Sequence, residues 1–311
     1  LLISITALPH KAGAFFYVQP LRRRRLIYKA GTGIAALRRQ TMPFLFPDHP
    51  TIGIFGFGAF GCLTARHLSD HFPVLVHDVN PDAVSAYVSE AAHGNIRAAD
   101  ILSVAKCDIV ILAVPVTEMR SVIATISPYL RTGAIVLDVG SVKMKPAQSM
   151  LEGLPDHVEI IGTHPLFGPQ SARDGISGLK IAICPVRGYK FRRIAAFLRL
   201  VLRLKVFVVT PEVHDREAAV VQGVTHLIAK VLARMDPLPV RMTTASFDLL
   251  VKATEMVRYD APSVFWAIEN ENPYAGAVRE QFFELAMGVR DQLAGDKLAG
   301  DKCVVAAGMA K

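Results

Sequence analysis

The chain of 311 residues is short of cysteine, of long apolar runs and, in its first part, of acid, and each shortage closes off a class of protein. Its four cysteines (Cys62, Cys107, Cys184 and Cys303) are scattered, with no CxxC pair and no histidine at a zinc-like spacing. That excludes a disulfide framework and a structural zinc site, and it fits a reducing, cytoplasmic setting; no metal is expected. No apolar run reaches the roughly 18 residues that a membrane helix needs, so no membrane association is expected. Acidic residues are missing from residues 1–41, which hold eight Lys and Arg. Removing those eight from the total of 35 leaves 27 cations against 27 Asp and Glu, so residues 42–311 are formally neutral. The overall charge of +8 therefore makes no general case for nucleic acid.

The basic segment begins at Leu1, and the first methionine is Met42. The favoured reading is that residues 1–41 stand outside the fold, with Met42 as the natural start. An Arg-rich targeting peptide and an anion-binding surface arm are the alternatives.

From Thr51 onward, short β-rich runs alternate with helical stretches. Thr51–Phe55, Val74–Asp78, Asp108–Val114, Ala134–Asp138, Val158–Gly162, Lys180–Cys184 and Lys205–Val209 read as strands. Such alternation predicts a mostly parallel sheet covered by helices on both faces. After Thr210-Pro211 the pattern becomes helical, with no clear strand. The chain divides accordingly into a sheet domain over 42–210, an all-helical domain over 211–293 and a flexible tail over 294–311 that carries the tandem repeat LAGDK.

Gly56-Phe57-Gly58-Ala59-Phe60-Gly61 is a GxGxxG run placed after a strand and before a helix. In that setting the three glycines serve, in turn, the tight turn, the approach of a pyrophosphate to the backbone, and close helix packing. The expected class is α/β, with a Rossmann-type doubly wound sheet. Asp78 closes the second strand about twenty residues on, where a carboxylate accepts from both ribose hydroxyls and repels a 2′-phosphate. No arginine follows it closely, so NAD is expected rather than NADP. Val114-Pro115, ending the third strand, should lie along the cofactor. Ser141 and His164 each follow a strand, at the carboxyl edge where open α/β sheets bind ligands. His164 is expected in a loop shaped by Gly and Pro, whereas His67, His71, His77, His93 and His157 read as structural.

The blocks Asp138-Val-Gly-Ser-Val-Lys143, Gly162-Thr-His-Pro-Leu-Phe-Gly-Pro-Gln-Ser171 and Thr210-Pro-Glu-Val-His-Asp-Arg216 stand in a particular order. Val221-Gln-Gly-Val-Thr-His-Leu-Ile228, Phe265-Trp266 and Asn272-Pro-Tyr-Ala275 complete the series. Together they resemble the prephenate/arogenate (cyclohexadienyl) dehydrogenase family, from about Thr51 to about Phe283. The resemblance implies oxidative decarboxylation of prephenate or arogenate to 4-hydroxyphenylpyruvate or tyrosine, with hydride transfer to NAD. It implies that His164 accepts the substrate hydroxyl proton, that Ser141 orients the hydroxyl and nicotinamide, and that His226 serves the substrate pocket, while His214 either contacts the substrate or has a structural part, capping or bridging between subunits. His214 and His226 are twelve residues apart, so one side of a helix could hold both. Where the family often has an arginine for the substrate carboxylate, Lys252 stands here, and Lys and Arg are not equivalent for bidentate pairing. Gln170 and Ser171, next along from His164, are expected to face the substrate. The form HPLFGPQSA leans towards arogenate or dual use. A homodimer is expected from the family's habit and from the apolar content of residues 211–290. The alternative is another Rossmann enzyme with helical second domain, such as a β-hydroxyacid dehydrogenase, for which Lys230 and Lys252 are the candidate lysines.

Overall fold

The computed structural model describes Met42, Leu45, Phe46 and residues 48–308, apart from 91–94 and 236. The basic segment 1–41 and His93 lie outside the described residues. Eight strands form one sheet: β1 (Ile52–Phe55), β2 (Val74–His77), β3 (Ile96–Ala98), β4 (Ile109–Leu112), β5 (Ile135–Asp138), β6 (Glu159–Pro165), β7 (Lys180–Arg187) and β8 (Lys205–Val208). Their order across the sheet is β3-β2-β1-β4-β5-β6-β7-β8. Every pair is parallel except β6 with β7, which runs antiparallel. The order reverses between β1 and β4, so the crevice beyond their carboxyl ends is the expected ligand site.

β1, β4 and β5 are buried at every position, as strands covered on both faces must be. One face packs Ile54, Val76, Ile111 and Leu137 beneath α1 (Ala59–Ser69), α2 (Pro81–Glu90) and α6 (Phe191–Leu200). The other packs Phe55, Val110, Leu112 and Val136 against α3 (Ile101–Ala105), α4 (Met119–Ile126) and α5 (Met144–Gly153).

After β8 the chain turns helical at once. Thr210 accepts from the amide of Val213 at 3.2 Å, and Pro211 occupies the first turn of α7 (Pro211–Ala218), where its missing N–H costs nothing. A π-helical stretch (Ala219–Val224) joins α7 to α8 (Thr225–Arg234). α9 (Ala245–Arg258), α10 (Pro262–Trp266), a second π-helical stretch (Ala267–Glu271) and α11 (Ala275–Gly308) complete the described chain. The fold is thus a Rossmann-type sheet followed by helices.

Three differences from the sequence reading stand out, two of them with local causes. β3 went unread because only Ile96 of its three residues is buried, which leaves no alternation to detect. β6 runs three residues past Gly162, because Thr163, His164 and Pro165 pair with Ile183, Ala182 and Ile181 of the antiparallel neighbour. The backbone of α11 continues through the LAGDK repeat, placed in a tail by sequence, to Gly308.

Candidate active site

The glycine turn has the shape that its sequence demands. Gly56 sits at φ +93°, and a Cβ there would stand 2.4 Å from the carbonyl oxygen of Ala113. A Cβ on Gly61 would stand 2.1 Å from the oxygen of Gly56, so α1 packs against the turn only because that side chain is absent. Gly58 differs: a Cβ there meets nothing within 4 Å. The open space lies at the start of α1, whose first turn carries neither a side-chain cap nor an acidic residue, which suits a phosphate. Asp78 ties β2 to this turn, accepting from the amides of Phe57 at 2.6 Å and Asn80 at 2.8 Å. A recess beside it is lined by Val76, Asp78, Val79, Pro81 and Ala98. These residues fit a dinucleotide. Val114 lies beside Gly56, and Val116 beside Gly140 of the loop after β5, so the turn and that loop are neighbours.

A chain of buried polar groups begins one loop away. His164 is the second-last residue of β6 and is buried; the expected loop position is corrected, since antiparallel pairing extends the strand past it. Its Nδ1 is 2.8 Å from Nε2 of His214, whose Nδ1 is 2.8 Å from Oδ1 of Asp215. Asp215 is fully buried and also accepts from the amides of Lys143 at 2.7 Å and Met144 at 2.8 Å. A carboxylate only accepts, so His214 carries its proton on Nδ1 and presents a lone pair at Nε2. His164 must then donate from Nδ1, which leaves the lone pair on its own Nε2. Burial above all, with the Lys143 charge behind it, holds the His164 pKa well below its ordinary value. His164 is therefore a neutral base at neutral pH.

Beneath it, Lys143 and Asp138 form a fully buried ion pair, and the Lys143 ammonium also donates to the carbonyl of Thr163 at 2.7 Å. Burial raises the Asp138 pKa while Lys143 pulls it the other way. Asn272 donates to the backbone carbonyl of Asp215 at 2.7 Å, fixing the second helical region to the same residue.

Of the other residues singled out by sequence, Ser141 is half-buried in the loop between β5 and α5, two residues from Lys143. His226 is buried, with Nε2 3.7 Å from Oδ2 of Asp260 and its ring near Phe265. Burial and the nearby Lys230 push its pKa down to about 4, so it is a neutral hydrogen-bonding group and not a cation. Asp260 also approaches Gly168 in the loop after β6, and Phe167 of that loop stacks near Phe60 of α1. Ser171 is spent on the loop itself, bonding to the amide and carbonyl of Gly168. Gln170 and Lys252 are exposed, and among the described residues no hydrogen bond or ion pair joins either to the His164 array. His77 and His157 bond to the carbonyls of Ala99 and Leu130, as structural histidines do. Sequence reasoning missed Lys143, Asp215 and Gln222, although each lies inside a block that it quoted. Gln222 places its amide nitrogen 3.3 Å from Nε2 of His164.

Among the described residues, no group of three His, Cys, Asp or Glu could hold a metal ion, and no helix is long and apolar enough to cross a membrane.

Residues 65–210 match the family described as "Prephenate dehydrogenase, nucleotide-binding domain". The chain is 30% identical over 204 residues to a probable arogenate/prephenate dehydrogenase of Methanocaldococcus jannaschii, covering 62% of this chain and 44% of that protein. It is 28% identical over 255 residues to the chloroplastic arogenate dehydrogenase 1 of Arabidopsis thaliana, covering 78% and 39%. The chain thus spans less than half the length of these two relatives. Its fold resembles the crystal structure of prephenate dehydrogenase from A. aeolicus in complex with hydroxyphenyl propionate and NAD+. There the TM-score is 0.61 at 23% identity, over 79% of this chain and 91% of that one.

Proposed function

We propose that this chain, whose nucleotide-binding domain is that of the prephenate/arogenate dehydrogenase family, is an NAD-dependent enzyme of tyrosine biosynthesis that oxidatively decarboxylates a cyclohexadienyl acid. Prephenate would give 4-hydroxyphenylpyruvate and arogenate would give tyrosine. One observation carries the reading: a neutral imidazole with its lone pair on Nε2, buried at the carboxyl end of β6, on the same edge of the sheet as the glycine turn after β1.

NAD, when bound, supplies the acceptor for the hydride that leaves C4 of the ring. Gly56, Phe57, Gly58, Ala59, Phe60 and Gly61 would cradle its pyrophosphate, Asp78 its ribose, and Val114 and Pro115 would lie along it. His164 takes the proton of the C4 hydroxyl on Nε2. His214 accepts from the opposite nitrogen and Asp215 holds His214 in the required tautomer, the orienting logic of a base backed by a carboxylate. The Lys143–Asp138 pair is internally neutral, so the Asp215 carboxylate is left to balance the imidazolium as it forms. Ser141 orients the hydroxyl. Loss of carbon dioxide and aromatisation supply the driving force.

His226, Gln170 and Lys252 are assigned to the substrate side, His226 as a neutral donor or acceptor and Lys252 as an exposed cation at the approach. Arogenate is the favoured substrate. Asp260, beside His226 and Gly168, would pair with the ammonium group that prephenate lacks. The apolar residues exposed on α9 and α11 support a homodimer, and scattered free cysteines support a reducing, cytoplasmic setting. The sheet domain (42–210), helical domain (211–293) and flanking segments 1–41 and 294–311 remain the proposed division.

The test is NADH absorbance with prephenate and with arogenate, each offered NAD and NADP. Turnover of either acid with NAD is the expected result. Silence with both acids, from folded protein that binds NAD, would refute the assigned reaction.

A further inference from the structure

The helix that carries His214 changes pitch on its way to His226. In the stretch Ala219–Val224 the hydrogen bonding is π-helical, running i to i+5, so such a turn holds one residue more than an α turn. In an uninterrupted α-helix, with 3.6 residues per turn, positions seven or eleven apart share a face. His214 and Gln222 are eight apart, and His214 and His226 twelve. α geometry would turn these away from His214 by about 80° and 120°. One inserted residue makes eight equivalent to seven, and His214 and Gln222 come round to the same imidazole. Gly223 places the widened turn beside the second π-helical stretch, where a Cβ would meet Oε1 of Glu269 at an ordinary contact of 3.4 Å, and Arg279 holds the other oxygen of Glu269 at 2.9 Å.

The consequence falls on His164, which is gripped from both ring nitrogens by one helix. His214 meets Nδ1 at 2.8 Å, and the Gln222 amide meets Nε2 at 3.3 Å. Nε2 carries the lone pair, so the amide donates to it. The other end of the carboxamide, Oε1, is buried without a hydrogen-bond partner among the described residues.

We propose that Gln222, carried round by the π-helical turn, is a positioning residue for the base: its amide holds the lone pair of His164 until the substrate hydroxyl takes its place. The catalytic meaning rests on the function proposed above, while the contact itself does not. The charged and titratable groups facing His164 are His214 and Asp215 from α7, and Lys143 with Asp138 from the β5 side.

The experiment is an NMR titration of the His164 ring in the full chain, assigned against His164→Asn. Gln222→Glu places an acceptor where the amide donated, which favours the imidazolium. The His164 midpoint should rise by about one pH unit, roughly tenfold in its protonation equilibrium. Gln222→Met removes the donor without adding charge and should move the Nε2 nitrogen signal towards that of a free lone pair. A midpoint unmoved in the Glu variant and a nitrogen signal unmoved in the Met variant would overturn the proposal. Because neither reading needs turnover, shifts seen in a protein inert towards both acids would keep the positioning role and discard the reaction.

Discussion

The two halves of the molecule treat apolar surface in opposite ways. In the sheet, Ile54, Val76, Val110, Leu112, Val136 and Ile160 are fully buried between helices. On α9, Thr254 is buried while Leu249, Leu250 and Met256 are exposed, and α11 exposes Phe283, Leu285, Met287 and Val289. Burying one such side chain is worth roughly 1.5–3 kcal/mol. The sheet half therefore encloses its own core, whereas the helical half leaves large apolar side chains in the open. The reactive array ignores this division: His164 comes from the sheet, and His214, Asp215 and Gln222 come from the helices. Stability and chemistry are thus distributed differently over the chain.

Substitutions confined to one half sharpen the contrast. The largest effect is expected from His164→Asn, which should keep NAD binding and lose turnover by roughly 10² to 10⁴ fold, the usual worth of a positioned base. Near-normal turnover would remove His164 from the chemistry. Lys143→Met, also in the sheet half, leaves Asp138 buried and unpaired, at a cost of about 3–5 kcal/mol. A denaturant midpoint close to wild type would deny that the pair supports the fold. In the helical half, Leu249→Glu combined with Met256→Glu should turn a dimer into a monomer by light scattering and leave NAD binding alone. A wild-type monomer would contradict the dimer outright.

Smaller effects lie in cofactor choice and pH. Asp78→Ser should weaken NAD and narrow its lead over NADP, compared through kcat/KM; a wild-type preference for NADP would end the assignment. The depressed pKa of His226 sets the sign of the last effect. Its folded value of about 4 lies below the unfolded value near 6.5, so between the two the unfolded chain binds a proton that the folded chain refuses. Stability should fall as pH drops through that window, and His226→Gln should flatten the slope of Tm against pH.

Much of the sheet was legible because buried strands declare themselves by composition. Ile52–Phe55 and Ile109–Leu112 are apolar throughout, and the glycines of 56–61 mark a turn that the structure reproduces residue by residue. β3 has too few buried residues to announce itself, and the extension of β6 depends on a neighbour some twenty residues on. His164 and His214 could be named from the blocks that carry them. Asp215 could not, because a charged residue reads as surface until partners more than seventy positions away, the amides of Lys143 and Met144, are folded against it. Gln222 was hidden for another reason: α-helical spacing puts it on the wrong face, and nothing local in the sequence signals the extra residue in the turn.

The Asp215 contacts also bear on motion. Its carboxylate accepts from backbone amides at the start of α5, and its carbonyl is held by Asn272, so one residue clasps the sheet to two helical segments. Those amide donors are the same whatever side chains occupy positions 143 and 144. A hinge opening of the helices away from the sheet would break the clasp and part His214 from His164 in the same movement. His164 keeps its partner His214 only while that clasp holds, so the setting of one imidazole is tied to the seating of the helices on the sheet.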